Sequence, residues 1–193
     1  MSIRIPKHNA FYFAIAKTAS STMRKVLKDG FSGIGWRAPE EGDYCFTVVR
    51  NPYDRCISLW WSLGVVDGPH SQYCLAEYAM TPWELIEHFI SKDLSKVENN
   101  KGFEFYFTQS EWMDRLYPRE EFDQVLHFES LDEDFKQLPF CKKRWRKKLP
   151  VENVKKPYGR LPTAAYIEIK RFREAVNEWC EEDFKRFDYE RVG

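Results

Sequence analysis

The sequence lacks the features that mark several common classes of protein. Its 30 basic residues are matched by 30 acidic residues, so the formal net charge is zero. Without a basic surplus to neutralise phosphates, we expect no general nucleic-acid binding. No run of about eighteen apolar residues occurs, and residues 1–10 hold no apolar stretch long enough for a secretory leader. We therefore expect a cytoplasmic protein with no membrane partner.

Cysteine is scarce and irregularly spaced. The chain has five cysteines, at positions 45, 56, 74, 141 and 180, and they form no C-x-x-C pair. An odd count at irregular spacing favours neither a disulfide framework nor a zinc site. Reduced thiols are the expectation, as in a cytoplasm, and no bound metal is expected.

Short apolar runs alternate with helical patterns along the chain. Residues 11–15 form an unbroken apolar run, and residues 44–49 form a largely apolar one, typical of strands buried on both faces of a parallel sheet. Residues 124–128 are a third strand candidate. Helical patterns follow each of them, which predicts an α/β sheet covered by helices on both faces. With 193 residues, of which 43% are apolar, the chain is expected to form a single domain over 1–193.

A polar turn follows the first predicted strand. It contains Lys17 and four hydroxyl residues, Thr18, Ser20, Ser21 and Thr22, just before a predicted helix. Unpaired N–H groups at a helix start, together with a lysine, can bind an anion. The turn has no glycine, so the Walker A loop is excluded. A shorter turn that binds a single phosphate group is favoured instead. The alternative is that these hydroxyls only cap the helix.

An arginine stands at the carboxyl end of the second predicted strand. That edge of an open α/β sheet is where ligands bind, and the guanidinium of Arg50 suits phosphate oxygens. Ser58 follows eight residues later, about two helical turns away. The alternative is that Arg50 pairs with a carboxylate such as Asp54. Two phosphate-binding sites at neighbouring strand ends predict a ligand with two separate phosphate groups.

Four segments resemble motifs of one enzyme family, and they stand in the family's order. Residues 16–24 resemble its 5′-phosphosulfate loop, P-K-T-A-G-T-S, and residues 47–58 resemble its 3′-phosphate motif, R-N-P-Y-D-R-x-x-S. Residues 125–135 and 179–189 are similar to its E-x-L-x-x-D-F and final Y-x-x-D-F-x-x-F-x-Y segments. The chain thus resembles the sulfotransferases that use PAPS (3′-phosphoadenosine-5′-phosphosulfate), nearest to carbohydrate sulfotransferase-like proteins of bacterial or viral type.

The resemblance implies a fold, a reaction and a set of site residues. The fold would be a P-loop-NTPase-like three-layer sandwich with a central, mostly parallel sheet. The enzyme would transfer a sulfuryl group from PAPS to a hydroxyl or amine of a glycan or small molecule, leaving PAP. Lys17 would stabilise the leaving oxygen, and Arg50 and Ser58 would hold the 3′-phosphate. The 5′-phosphate would be held by Lys17, Thr18, Ala19, Ser20, Ser21 and Thr22.

Departures from the family pattern leave parts of the site open. Ala16 stands where proline is usual, and Ser20 stands where glycine is usual. Many relatives place a histidine base between the two motifs, but no histidine lies between Lys17 and Arg50. The general base stays open among Glu40, Glu41 and His70, whereas His127 lies in a predicted strand and is expected to be structural.

Two further segments and two other functions complete the sequence-based hypotheses. Residues 153–160 correspond to a family segment that closes over the cofactor. The basic cluster Lys142 to Lys148 could attract an anionic acceptor or PAPS, bind nucleic acid, or form a solvated face. The alternative functions are a nucleotide-dependent kinase-like transferase and a non-catalytic PAP-binding module.

Overall fold

The computed structural model describes residues 2–27, 39–63, 81–91, 103–116, 122–141, 149–150 and 161–193. The chain divides into two compact units. The sheet unit comprises residues 1–50 and 117–156, and the helical unit comprises residues 51–116 and 157–193. The expectation of a single domain over 1–193 stays a prediction.

The sheet unit is built on four strands in the order β1-β2-β3-β4. They are β1 (Ser2–Ile5), β2 (Ala10–Phe13), β3 (Tyr44–Val49) and β4 (Gln124–His127). β1 is antiparallel to β2, whereas β2 with β3 and β3 with β4 are parallel. The predicted α/β class with a mostly parallel sheet is therefore confirmed for the described part of the chain.

Strand β1 was not predicted from the sequence. A short 3₁₀ turn at Pro6–His8 and a left-handed Asn9 reverse the chain, so that Ile5 pairs with Ala10. The side chains of Ile3 and Ile5 are each 1% exposed and pack into the core of this unit. Two alternating isoleucines are too short a pattern to identify a strand from the sequence alone.

The core of the sheet unit explains the unbroken apolar runs. All four residues of β2 are buried, as are the last five of β3, because strands in the middle of a sheet lose both faces to packing. On one face lie α1 (Ser20–Val26) and α5 (Leu131–Asp134). The main core residues there are Ile3, Ile5, Tyr12, Met23, Leu27, Phe46, Val48, Leu126 and Phe135.

The helical unit packs its helices around an aromatic core. Three aromatic side chains lie at its centre, with Tyr53 and Phe184 ring centroids 5.1 Å apart and Tyr53 and Phe172 centroids 6.3 Å apart. Its described α-helices are α2 (Pro52–Leu63), α3 (Pro82–Ser91), α4 (Gln109–Leu116), α6 (Thr163–Ile167), α7 (Lys170–Trp179) and α8 (Glu181–Arg186). None of the helices in the described ranges is long and apolar enough to cross a membrane.

The sequence Thr-Pro-Trp-Glu at residues 81–84 predicts a capping box, and the structure confirms it at the start of α3. The backbone N–H of Thr81 donates to Glu84 Oε2 at 2.7 Å, and the N–H of Glu84 donates to Thr81 Oγ1 at 3.4 Å. Such a reciprocal pair satisfies two N–H groups that a helix start leaves without intrahelical partners.

Two helices expected from the sequence differ in the structure. The sequence Ser-Leu-Asp-Glu at residues 130–133 predicts a second capping box, but the hydroxyl of Ser130 donates to Asp134 Oδ2 at 2.9 Å instead. The segment after it consists of the four-residue α5 between two 3₁₀ turns. The apolar spacing from Thr163 onward predicts one final helix, but the structure has three helices there, because Ile169 is extended and Cys180 leaves helical geometry.

Candidate anion-binding site at the carboxyl edge of the sheet

Strand register brings three chain segments to one edge of the sheet. Phe13 of β2 pairs with Thr47 of β3, and Val49 of β3 pairs with His127 of β4. The parallel strands β2, β3 and β4 therefore end side by side. Lys17, Arg50 and Phe128 follow these three strand ends, at the edge where open α/β sheets bind ligands.

The turn after β2 is strained. Lys17 has φ 69° and Ala19 has φ 76°, so both lie in the left-handed region without being glycine. Left-handed geometry costs a non-glycine residue about 1–2 kcal/mol. Strained backbone of this kind persists where the surroundings hold it, and it is concentrated at ligand-binding sites.

The position of the family's glycine does not need left-handed geometry here. That glycine corresponds to Ser20, which is the first residue of α1. The N–H of Met23 donates to the carbonyl of Ala19 at 3.0 Å, so the helical hydrogen bonds begin directly after the strained residues. Ala19, rather than Ser20, is the residue at which glycine would relieve strain.

The hydroxyls of the turn are not equivalent. Thr18 is fully buried, and its Oγ1 donates to the carbonyl of Ile15 at 3.0 Å. This hydroxyl proton holds the turn together, and the expected role of Thr18 in holding a 5′-phosphate stays a prediction. Thr22 is 9% exposed, whereas Ser20 and Ser21 are half-buried.

The structure brings Arg50 and Lys17 together. Nη1 of Arg50 donates to the backbone carbonyl of Lys17 at 3.4 Å across 33 positions of sequence. The Cζ atom of Arg50 lies 4.3 Å from the ring centroid of Phe128. The guanidinium is thus held between the strained turn after β2 and the aromatic ring after β4.

Phe128 is a site residue that sequence reasoning missed. It is 37% exposed, which is unusual for a phenylalanine, and it lies beside Arg50 at the carboxyl edge of the sheet. The sequence carried a weak signal, since Phe128 was included as the last residue of a predicted strand. Only the pairing of β3 with β4 identifies its neighbour.

Ser58 and Asp54 lie in the helical unit, on α2. Ser58 is half-buried, and its role in holding a 3′-phosphate stays a prediction. Asp54 stands near the start of α2, where a carboxylate can cap a helix, but the cap comes from Asn51, whose Oδ1 accepts the N–H of Tyr53 at 3.0 Å. Asp54 accepts a hydrogen bond from the hydroxyl of Thr163, which ties α2 to the start of α6.

The structure does not bring Glu40 and Glu41 to Lys17. Both residues precede β3, whereas Lys17 follows β2, and these parallel strands place the two segments at opposite edges. Six residues of strand span about 20 Å. Glu40 also forms an ion pair with Arg4, with Nη2 and Oε2 2.7 Å apart. The placement therefore favours neither glutamate as the base.

Arg4 also lowers the pKa of Asp43. Its Nε and Nη2 donate to the two carboxylate oxygens at 3.0 and 3.2 Å. Burial alone would raise the pKa of Asp43, but hydrogen bonds from Arg4 and from the N–H of Glu40 bring this pKa below its usual value. The ion pairs of Arg4 with Glu40 and Asp43 therefore lie at the amino end of β3 and not at the candidate site.

His127 is closer to the site than the sequence suggested. It is the last residue of β4, its side chain is 39% exposed, and its Nδ1 lies 3.9 Å from Asp134 Oδ2. His127 therefore stands at the same edge as Lys17 and Arg50. The other histidine considered as a base, His70, lies outside the described residues, as do Lys142 to Lys148 and residues 153–160.

Comparison with known proteins adds no relative. No family model, curated protein or solved structure matches this chain. The site is therefore defined by its own residues: two cations and an aromatic ring at the ends of three parallel strands. Within the described part of the chain, no group of three or more His, Cys, Asp or Glu side chains could hold a metal ion.

Proposed function

We propose that this chain is a PAPS-dependent sulfotransferase that acts on a hydroxyl or amine of a carbohydrate or small molecule. The contact between Arg50 and the turn of Lys17 carries the proposal. These residues belong to the two segments that resemble the 5′-phosphosulfate loop and the 3′-phosphate motif of PAPS-dependent sulfotransferases. Their meeting at one edge of the sheet is the arrangement that a bisphosphorylated nucleotide requires.

The donor groups at this edge fit such a ligand. Lys17 supplies an ammonium group, and Arg50 supplies a guanidinium whose fork matches phosphate oxygens. The half-buried Ser20 and Ser21 add hydroxyls at the start of α1. By resemblance, the Lys17 turn would hold the 5′-phosphosulfate, and Arg50 with Ser58 would hold the 3′-phosphate.

PAPS would supply the sulfuryl group, and the chain would position it and stabilise charge. The transfer is an in-line displacement at sulfur, so catalysis depends mainly on alignment and electrostatics, as in phosphoryl transfer. The ammonium of Lys17 would stabilise the negative charge that develops on the departing oxygen. The acceptor must lose a proton, and we leave its base unassigned.

The proposal includes the finer fold expected from the resemblance, a P-loop-NTPase-like three-layer sandwich. Three parallel strands and the order strand, polar turn, helix around Lys17 support it. The missing Walker A glycines favour a phosphosulfate grip over the nucleotide cradle of a kinase.

Ligand-induced stabilisation tests the binding part of the proposal. We expect PAP to raise the Tm of the full chain, and ATP to have a much smaller effect. At about a hundredfold excess over Kd, a ligand stabilises the native state by about 2.7 kcal/mol. For a chain of this length that corresponds to a Tm rise of roughly 5–10 °C. Stabilisation by ATP but not by PAP would support a kinase-like transferase.

Sulfate transfer from labelled PAPS to a panel of sugars, phenols and amines tests the catalytic part. We expect Lys17→Ala to lower transfer by about a hundred- to a thousandfold while the unfolding transition is kept, because one charge-stabilising group is lost. Lys7→Ala is the matched control, since Lys7 is exposed and precedes β2 at the opposite edge of the sheet.

The outcomes separate the alternatives. Loss of transfer in Lys17→Ala but not in Lys7→Ala supports the sulfotransferase. PAP binding without transfer to any acceptor supports the non-catalytic PAP-binding module. Unchanged turnover in Lys17→Ala removes that residue from the mechanism.

A further inference from the structure

Two cysteines from distant parts of the sequence meet in the core of the helical unit. Cys56 lies on α2 and Cys180 lies at the junction of α7 and α8, and their Sγ atoms are 4.0 Å apart across 124 positions of sequence. Each side chain is 1% exposed and packs in the aromatic core of this unit. The fold produces this contact, since the irregular spacing of cysteines along the chain does not predict it.

Hydrogen bonds about one helical turn away hold the two cysteines in place. The hydroxyl of Tyr53 lies 2.5 Å from Oδ1 of Asn177 and joins α2 to α7. Each of these residues stands three positions before one of the two cysteines. The N–H of Cys180 also donates to the carbonyl of Val176 at 2.9 Å. The two thiols therefore face each other without a bond between them, and both are free thiols in the structure.

This arrangement favours a disulfide at equilibrium. Bonded sulfurs are about 2.05 Å apart, so the two Sγ atoms must approach by about 2 Å, which we expect rotation of the side chains to provide. Because the fold already holds the second thiol beside the first, the closing step is intramolecular. Such steps are strongly favoured over the same reaction between separate molecules.

Burial slows the same reaction in the folded chain. Burial, and after it the neighbouring Cys56 thiol, raises the pKa of Cys180 above its usual value. Little thiolate is therefore present in the native state, and the thiolate is the species that attacks a disulfide reagent. We expect oxidation of the folded chain to proceed through local opening, and oxidation during folding to be faster.

We propose that Cys56 and Cys180 form a redox-sensitive pair, which a low-molecular-weight disulfide such as oxidised glutathione converts into a disulfide between α2 and the α7–α8 junction. The thiolate of one cysteine attacks oxidised glutathione, which gives a mixed disulfide and one reduced glutathione. The second cysteine then displaces the second glutathione, so two electrons pass from the two thiols to the reagent. Each attacking thiol loses one proton, and each departing glutathione takes one up.

The disulfide should stabilise the chain. It would connect residues 124 positions apart and so restrict the unfolded state, which is the main way in which a disulfide stabilises a protein. We expect the oxidised chain to unfold at a Tm roughly 5–10 °C above that of the reduced chain. This inference does not depend on the proposed sulfotransferase activity.

Peptide mass mapping of the full chain tests the pairing. The chain is unfolded, refolded in a buffer of reduced and oxidised glutathione, quenched with acid, and then denatured and alkylated. Refolding in this buffer removes the delay that burial causes. We expect one linked peptide pair that contains Cys56 and Cys180, with the other three cysteines alkylated. The same buffer with denaturant kept throughout should give no preferred pair, because only the fold brings these two thiols together.

Thermal unfolding of two variants connects the link to stability. Cys56→Ala should abolish the Tm difference between the oxidised and the reduced chain. Cys141→Ala is the matched control, since it removes a free cysteine of the sheet unit, and it should keep that difference. Each variant is compared with itself under two redox conditions, so stability lost through the substitution does not enter the comparison.

Two results would overturn the inference. The refolded wild-type chain could carry no link between Cys56 and Cys180, in which case the two thiols only pack together as small apolar side chains. A link from either residue to another cysteine would equally show that the contact does not direct the pairing. A linked chain that unfolds at or below the Tm of the reduced chain would contradict the expected stabilisation.

Discussion

Asp183 of the helical unit and Tyr12 of the sheet unit are both buried polar side chains, but they differ in hydrogen bonding. In the helical unit, Asp183 is fully buried and its carboxylate oxygens accept hydrogen bonds from Gln109 and Ser110 at the start of α4. In the sheet unit, Tyr12 is fully buried, yet its hydroxyl has no hydrogen-bond partner among the residues that the structure describes. The buried hydrogen bonds of Asp183 therefore stabilise its unit, whereas the hydroxyl of Tyr12 adds no hydrogen bond that the structure describes.

The difference extends to the surface of the sheet unit. Its cationic groups, Lys17 and Arg50, lie at the ends of strands, and its strained residues, Lys17 and Ala19, lie in the same turn. Strained backbone lowers stability, and two cationic side chains close together favour an anion. The buried carboxylate of Asp183 thus contributes to stability, whereas the strained turn after β2 lowers it.

The largest expected effect on stability is in the helical unit, at Asp183. Its Oδ2 accepts the N–H of Gln109 at 2.9 Å and the side-chain amide of Gln109 at 3.2 Å, and its Oδ1 accepts the N–H of Ser110 at 2.7 Å. Asp183→Ala leaves these buried donors unpaired, so we expect a loss of about 3 kcal/mol in the free energy of unfolding. Chemical denaturation measures it.

The matched control for Asp183 is its exposed neighbour. Glu182→Ala should change the free energy of unfolding by less than about 0.5 kcal/mol, because Glu182 faces solvent on α8. Asp183→Asn, which keeps one carbonyl oxygen as acceptor, should fall between the two. Equal stability of Asp183→Ala and Glu182→Ala would contradict the proposed role of the buried carboxylate.

One buried tyrosine in each unit allows the effect of hydrogen bonding to be compared directly. In the helical unit, the hydroxyl of Tyr53 lies 2.5 Å from Asn177 Oδ1 and accepts the N–H of Val192 at 3.1 Å. Burial raises the pKa of both Tyr53 and Tyr12, so each hydroxyl is protonated at neutral pH. The two side chains therefore differ in hydrogen bonding rather than in charge.

Removing the hydroxyls should have opposite effects. Tyr53→Phe leaves Asn177 and Val192 without this partner, and we expect a loss of about 1–2 kcal/mol. Tyr12→Phe removes an unpaired buried hydroxyl, and we expect stability to be unchanged or to rise by about 1 kcal/mol. Denaturation curves of the two variants test this, and a destabilised Tyr12→Phe would show that its hydroxyl has a partner in solution.

The smallest expected effect is in the strained turn. Ala19→Gly should raise the free energy of unfolding by about 0.5 kcal/mol, because glycine adopts φ 76° without a steric penalty. Ser20→Gly, one residue later at the start of α1, should lower it by a similar amount. The reverse order of the two variants in thermal unfolding would mean that the left-handed residue is not Ala19.

Much of the sheet unit could be predicted from the sequence, because its signals are local. The apolar runs near Phe13, Val49 and Leu126 predicted β2, β3 and β4, since each run is bounded by polar residues. The candidate residues Lys17 and Arg50 were found because they directly follow such runs. Strand β1 was missed because its pattern is short and gains stability only by pairing with β2.

The locations of the candidate bases were harder to predict, because the order of residues along the chain does not show at which edge of the sheet each one lies. Glu40 and Glu41 lie between Lys17 and Arg50 along the chain, yet they precede β3 while Lys17 follows β2. His127 was taken as a strand residue, but it ends β4 at the edge where Lys17 and Arg50 lie. A residue that lies between two motifs along the chain therefore need not lie near the side chains of those motifs in the folded structure.

By itself, the sequence determined the α/β alternation, the capped start of α3 at Thr81, and the two cationic motifs, because periodicity, caps and strand ends depend on neighbours along the chain. Only the tertiary structure decided that Arg50 contacts the carbonyl of Lys17 and the ring of Phe128. Strand order and register cause these contacts, and both depend on packing between residues far apart in sequence.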